Sequence, residues 1–384
     1  MITNLINPYR IGIFTVFIMC CSTQIPKSAV DDSQIEKTNT RNDEPTKTSS
    51  KNTSLPQSKK IEGKFQNIKP FELIGFFKSM GLLSRMLFEE DKDNNPTKPI
   101  PLENQKVTEL KQISIGQIEI TRLGHSSILL RNATSNWLID PVFSERASPV
   151  TFAGPKRFHK VPLDYQNLKK IEGIIISHDH YDHLDEKTIK ELHKKVSYFA
   201  VPQGIGAILK EWGVDSSKIH EFVWWDEMKL GSLTITSAPA QHFSGRSLFG
   251  RMETLWCGWS IQSEENKIFY TGDGGYQKEF KLIGEVLGPF DLALIETGAY
   301  DKDWPEVHMT PQQSIQAFID LKAKILMPVH NGTFDLAFHP WYDPFEKIYS
   351  MAEKENIPIA LPIMGKPFTL DNIPTPISWW KNLN

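Results

Sequence analysis

Cysteine is nearly missing from this chain. There are three in 384 residues, and two of them, Cys20 and Cys21, are adjacent near the N-terminus. Adjacent cysteines cannot staple a distant core, so a disulfide framework is excluded, and with it a cysteine-rich zinc site. Neither sign of charge is in excess. The net charge is −3, so bulk electrostatics give no reason to expect nucleic acid as a partner. There is no collagen-like or coiled-coil signature and no internal repeat of fixed period. What remains is a globular composition, 40% hydrophobic and 11% aromatic, in a length that suits one large domain with appendages or two ordinary domains.

Residues 11–19 read IGIFTVFIM after Arg10. The run is too short to cross a bilayer as a mature helix and fits the apolar region of a signal peptide. Because Cys20 and Cys21 follow at once, it resembles a bacterial lipoprotein signal, with Cys21 the preferred lipidated residue and Cys20 the alternative. An ordinary signal peptide or signal anchor is the competing reading. The expectation is a signal over 1–21 and a protein lipid-anchored in the bacterial cell envelope, on the exported side of a membrane. Residues 22–62 are rich in Ser, Thr, Lys, Asn, Asp and Gln. They bury too little apolar surface to offset ordering entropy and read as a flexible polar tether. Residues 63–384 are expected to form the main domain. Near its start, 71–87 (FELIGFFKSMGLLSRML) reads as an amphipathic segment, packed on the domain or resting on a bilayer.

Strands and helices alternate from about Gly116. The patterning predicts strands over 117–121, 127–131, 137–140, 171–177, 198–201, 233–237, 256–262, 267–270, 292–295 and 325–329. Helices are predicted over 186–194, 205–212, 276–287 and 311–321, with Asp185 an N-cap and Pro311 near a helix start. The run 171–177 (IEGIIIS) has the composition of a buried strand.

The chemistry gathers after these strands. His178, Asp179, His180, Tyr181, Asp182 and His183 are consecutive. Three imidazoles and a carboxylate so close together suit Zn²⁺, with Mn²⁺ and Fe²⁺ as alternatives. In a tight turn His178 and His180 can face one position, and Asp182 and His183 a second. One metal needs three or four ligands, so the surplus points to two. His242 (PAQHFSGR), Asp273 (TGDGG) and His330 (PVHNGTF) each follow a predicted strand and supply the missing ligands. Gly272, Gly274 and Gly275 allow close backbone approach, and a carboxylate such as Asp273 can bridge two cations. Metals so paired can share a hydroxide, a strong nucleophile at neutral pH. His159, His193 and His220 read as ordinary polar surface.

This pattern resembles the metallo-β-lactamase superfamily, and within it the branch of N-acylphosphatidylethanolamine-hydrolysing phospholipases D. The stretches that carry the resemblance are GHSS at Gly124, IDPVFSERASP at Ile139, GPKRF at Gly154 and ISHDHYDHLD at Ile176. They continue with PAQHFSGR at Pro239, LWCGWS at Leu255, GDGGY at Gly272, GPFDLALIETGAY at Gly288, VHMTP at Val307 and HNGTF at His330. The resemblance implies an α+β fold, a four-layer αβ/βα sandwich with a dinuclear site along one edge. It implies a first zinc on His178, His180 and His242, a second on Asp182, His183 and His330, and Asp273 bridging the two. His308 would act near the phosphate or leaving group, and Asp182 and Asp273 would take part in catalysis as well as ligation. The chain departs from the branch at Glu296-Thr297, where Pro-Ile is common, and at Asn331, where Trp is common. Both departures are expected to line the substrate pocket.

The implied activity is zinc-dependent phosphodiester hydrolysis of N-acylphosphatidylethanolamine-like phospholipids. The competing readings are a hydrolase of the same fold acting on a lactone or another, cyclic, phosphodiester, and a non-catalytic zinc-binding surface lipoprotein. Expected partners are a phospholipid substrate and the membrane that holds the anchor. A homodimer is compatible with the sequence, and no nucleic acid is expected.

Overall fold

Successive residues of a strand point to opposite faces of its sheet, and several strands here are apolar on both. In Ser127–Arg131, Ile128 and Leu130 enter one core and Leu129 a second. Asn136–Ile139 divides Trp137 and Ile139 from Leu138 in the same way, and Ile171–Ile175 divides Ile175 from Ile174. Sheets of this kind must be covered on both faces, which requires layers outside as well as between them.

The structure, a computed structural model, describes residues 47–49, 55–71, 81, 84–85, 93–246 and 250–383. In chain order the strands begin with β1 (Lys47–Ser49), β2 (Lys59–Ile61), β3 (Lys64–Gln66), β4 (Glu119–Gly124), β5 (Ser127–Arg131), β6 (Asn136–Ile139) and β7 (Ile171–Ile175). Next come α1 (Glu186–Leu192), β8 (Val196–Pro202), α2 (Ile205–Glu211), β9 (Ile219–Phe222), β10 (Asp226–Leu230) and β11 (Leu233–Ala238). β12 (Gly258–Gln262), β13 (Lys267–Tyr270), α3 (Glu279–Val286), β14 (Leu292–Glu296) and α4 (Pro311–Asp320) follow. The series ends with β15 (Leu326–Val329), α5 (Asp343–Glu355) and β16 (Pro367–Thr369).

Two mixed sheets of seven strands result, in the orders β1-β10-β11-β12-β13-β14-β15 and β16-β4-β5-β6-β7-β8-β9. The larger core lies between them and includes Trp137, Trp259, Phe222 and Ile175. It runs on beneath the outer helices α3, α4 and α5 through Phe280, Ile315 and Ile348. The second core, with Leu129, Ile174 and Phe199, is covered by Ile189 and Leu192 of α1 and by Ile205 and Leu209 of α2. This is the expected four-layer α+β sandwich. Gly173 shows how the sequence permits it: a Cβ there would stand 2.0 Å from the Trp137 ring, so the glycine in the buried strand is the space the indole fills.

The polar segment 22–62 is not a tether throughout. β1 pairs antiparallel with β10, Leu55 is buried, and Trp225 donates its indole N–H to the carbonyl of Pro56 at 3.0 Å. Edge pairing uses backbone groups, which polar composition does not forbid, and one Leu-Pro pair anchors the rest. The ordered domain therefore reaches back beyond residue 63. The signal over 1–21 and the segment 22–46 lie outside the described residues. So does most of 71–87, although one of its described residues, Arg85, pairs with Asp301 at 2.6 Å and with Asp303. Among the described residues no helix is long and apolar enough to cross a membrane.

Candidate metal centre

The loops that follow β7, β11, β13, β14 and β15 bring together His178, His180, Asp182, His183, His242, Asp273, His308 and His330. The loop after β7 is pinned at both ends. At its start, Asp140 accepts from the Ser177 amide at 2.8 Å and from the Ser177 hydroxyl at 2.5 Å. At its end, Asp185 caps α1 and also accepts from the amides of Phe143 and Ser144. The two members of the six-residue motif that are not metal candidates hold the neighbouring loop. Asp179 accepts from the Gly245 amide and the Thr254 hydroxyl, and Tyr181 donates to the Arg246 carbonyl at 2.7 Å. The glycines after β13 serve close approach as expected: a Cβ on Gly275 would stand 2.1 Å from the Glu306 carbonyl oxygen.

The ligand atoms form two groups. His178 Nε2 and His242 Nε2 lie 2.9 and 3.2 Å from His180 Nδ1. Nitrogens held 2.0–2.1 Å from one tetrahedral ion stand roughly 3.3 Å apart, so the spacing suits a shared cation. In the second group, Asp182 Oδ2 lies 3.2 Å from His330 Nε2 and 3.5 Å from His183 Nε2. Asp273 Oδ2 joins the groups, at 2.8 Å from His330 Nε2, 3.1 Å from His183 Nε2 and 3.8 Å from His178 Nε2. The structure thus brings together all seven sequence-derived ligand candidates, with His125 added beside Asp182, His183 and His330. His308 stands beside them, its ring 5.2 Å from that of His330 and 5.4 Å from that of His242.

The electrostatics fit a cation. Burial, then the neighbouring imidazoles His183 and His180, holds His178 well below the ordinary histidine range. Burial and His180 do the same to His242, so both rings are neutral and each has a lone pair to offer a cation. Burial opposes charge on Asp182 and Asp273, yet His183 and its neighbours hold both carboxyls well below the usual range. Burial likewise opposes charge on His330, but Asp273 and Asp182 push it up to about 9. His183 Nε2 and Asp273 Oδ1 are buried without a hydrogen-bond partner. Orphaned polar atoms of this kind demand an explanation, and a metal-coordinating site supplies one.

The outward ring nitrogens are mostly held. His183 Nδ1 donates to Asp140 at 2.7 Å and His242 Nδ1 to the Val307 carbonyl at 3.1 Å. Asp140 also accepts from the Tyr270 hydroxyl at 2.6 Å. Such carboxylate–histidine pairs fix ring orientation and raise ligand basicity. Sequence reasoning missed Asp140 and His125, and gave Glu296 a different role. His125 contributes Nε2 at 2.9 Å from Asp182, and burial, then His330, pushes its pKa down to about 3, so the neutral ring donates to Asp182. Burial raises Glu296, and its hydrogen bond to His308 opposes that rise. A local signal exists for two of these. His125, Asp140 and also His330 adopt positive φ angles of 52°, 37° and 64°, and strained residues of this kind cluster at functional sites.

Three expectations change. His159 is buried, set between the Lys160 carbonyl and the Thr333 hydroxyl, and so belongs to the scaffold behind the site. Glu296 and Asn331 do not offer their polar groups to a substrate pocket. Glu296 is fully buried against His308. The Asn331 amide donates to the carbonyls of Thr297 and Val329. The two departures from the branch therefore meet each other behind the ligands.

Residues 135–331 match the beta-lactamase superfamily domain. An uncharacterized protein of Mycobacterium tuberculosis is 37% identical over 310 residues, which span 79% of this chain and 82% of that one. The N-acyl-phosphatidylethanolamine-hydrolyzing phospholipase D 1 of Caenorhabditis elegans is 34% identical over 247 residues, 61% of this chain and 69% of that enzyme. Among solved structures, the metallo hydrolase Igni18 of Ignicoccus hospitalis superposes with a TM-score of 0.52 at 20% identity, over 66% of this chain and 98% of that one. The matched region contains β6 through His330 and thus every residue of the two ligand groups, and on that ground the chain belongs to the metallo-β-lactamase superfamily of metal-dependent hydrolases.

Proposed function

We propose that the protein is a zinc-dependent phosphodiesterase of phospholipase D type, hydrolysing N-acylphosphatidylethanolamine-like phospholipids to N-acylethanolamine and phosphatidic acid. The observation that carries this reading is the pair of ligand groups joined by Asp273, in a chain with the phospholipase D relative of Caenorhabditis elegans. His178, His180 and His242 would hold one zinc, Asp182, His183 and His330 the other, with Asp273 between them. A bound zinc pair supplies Lewis-acid charge for a phosphoryl group and lowers the pKa of water.

The protein's own groups do the positioning. Asp182 and His308, each with 15% of its side chain accessible, and the partly exposed His180 mark the side from which a substrate enters. Asp182 is steadied by His125 and has a second oxygen to orient the attacking water. His308 stands where it can take a proton from the attacking water and pass it to a departing oxygen. Beside it, the buried Trp304, Val307 and Ala337 form an apolar cluster backing the partly exposed Phe243 and Phe338, and those two rings offer contact to acyl chains. A lipid anchor at Cys21 or Cys20, in the bacterial cell envelope, would hold the enzyme near such substrates at high effective concentration.

The test is cleavage of N-acylphosphatidylethanolamine in mixed micelles by the full chain, zinc-loaded, next to Asp273→Asn and His180→Ala. Loss of at least about 100-fold in kcat/KM is expected for each variant, and undiminished turnover in either sinks the assignment. A lactone and a cyclic phosphodiester run in parallel decide the substrate. A clear preference for one of these removes the phospholipid reading while leaving the metal site intact.

A further inference from the structure

Glu296 ends β14 with a fully buried side chain. One carboxylate oxygen accepts from His308 Nδ1 at 3.0 Å and the other from the Met309 amide at 2.9 Å. A carboxylate buried in a hydrolase core is costly unless its oxygens are satisfied, and here both are satisfied by two consecutive residues. The residues that follow are fixed as well. Thr310 caps α4 in a reciprocal capping box with Gln313, next to Pro311. The Ser314 hydroxyl donates to the backbone carbonyl of Glu296 at 2.9 Å. The stretch from His308 to Ser314 is thus clamped to the end of β14 at three points.

We infer that Glu296 is the positioning residue for His308, its carboxylate holding the imidazole in the Nδ1–H form so that Nε2 keeps its lone pair. A neutral imidazole has one N–H and one acceptor nitrogen, and the partner of one nitrogen decides the role of the other. One His308 nitrogen lies within 4.8 Å of ligand atoms of both Asp273 and His330, so the choice of tautomer is made at the reacting centre. The carboxylate is also 3.9 Å from His330 Nδ1, too far for a hydrogen bond, so its hydrogen-bonded histidine is His308. The resemblance did not supply this role, since the branch commonly has proline at this place. The inference rests on the metal-hydrolase reading of the site but on no particular substrate.

The experiment compares the full chain, zinc-loaded, with Glu296→Ala, Glu296→Gln, His308→Ala and the double variant Glu296→Ala/His308→Ala. Bis(p-nitrophenyl) phosphate serves as a substrate independent of lipid chemistry. Ring ¹⁵N spectra of histidine-labelled protein, with the His308 signals identified from His308→Ala, should show a protonated Nδ1 and an unprotonated Nε2. In Glu296→Ala those signals should move towards a tautomer mixture, while zinc content by elemental analysis stays the same. kcat should fall about 10–100-fold with KM little changed, and the double variant should be no worse than His308→Ala alone. Glu296→Gln keeps one acceptor for two donors and should fall between, which preserves the test if the alanine variant does not fold. An unchanged His308 tautomer in both Glu296 variants overturns the inference, as does additive loss in the double variant. Failure of phospholipid cleavage by the parent protein, with the tautomer shift present, overturns only the substrate assignment.

Discussion

The guanidinium of Arg122 reaches the residue after His330 twice, donating to the Asn331 backbone carbonyl at 2.8 Å and to its side-chain oxygen at 2.6 Å. Arg122 is fully buried, and burial pulls its pKa down to about 9. One nitrogen, Nη2, makes both bonds and fixes the backbone just past a metal-ligand candidate. Arg122→Met leaves two acceptors unpaired, at about 1–3 kcal/mol each, and removal of a buried cation returns part of that. A net loss of about 1–3 kcal/mol in urea unfolding of the zinc-loaded protein is expected. Arg122→Lys keeps one charged nitrogen able to donate to both oxygens but loses the planar head, and should lose less than the methionine variant. Wild-type stability and zinc retention in both variants would show that the clamp is idle.

Metal binding should expel protons. Burial opposes the charged forms of His183 and His330, but Asp273 and Asp182 override it, raising His183 well above the ordinary range and His330 to about 9. The charge on His330 therefore stabilises the metal-free protein fully below pH 6.5, and that contribution is lost as pH rises through about 9. A cation needs both lone pairs, so loading at pH 7 should release roughly two protons per protein. Zinc titration in weakly buffered indicator solution reads this directly. Release near zero at pH 7 would mean that these histidines are already neutral in the metal-free protein.

His159 gives an acid dependence of the opposite sign. Burial, then Arg157, lowers its pKa to about 3. Below pH 6.5 the unfolded chain takes up a proton that the folded protein refuses. The contribution of this site is thus kept above pH 6.5 and lost as pH falls towards 3, by up to about 1.4 kcal/mol per pH unit. His159→Gln removes that titration and can keep the hydrogen bond to Thr333. Its melting temperature should fall less steeply than that of the parent protein between pH 6.5 and 4.5, and parallel curves would rule His159 out as the source.

The ligand candidates were legible because four of them are crowded into one loop and the others each follow a strand with a clear apolar signature. Their supports were not legible in the same way. Asp140 acts through His183, 43 positions away, and His125 through Asp182, 57 positions away, so nothing in their local sequence states the role. Glu296 was visible only as a departure, and its meaning depended on where His308 came to rest. Among the elements, α5 carries a readable pattern in Phe345, Ile348 and Ala352, all buried and spaced by three and four. β16, three residues long, has too little sequence to show a period. At β1 the polar composition misled, because a strand that adds to a sheet through its backbone needs no apolar side chains.

That pairing of β1 with β10 has a practical meaning for anyone shortening the chain. β10 would otherwise be the border of its sheet, with a row of backbone donors and acceptors open to any strand from another molecule. Lys47–Ser49 occupies that row. A protein trimmed at residue 62 would keep every metal ligand and yet lose its guard against self-association, so trimming is safer ahead of Lys47.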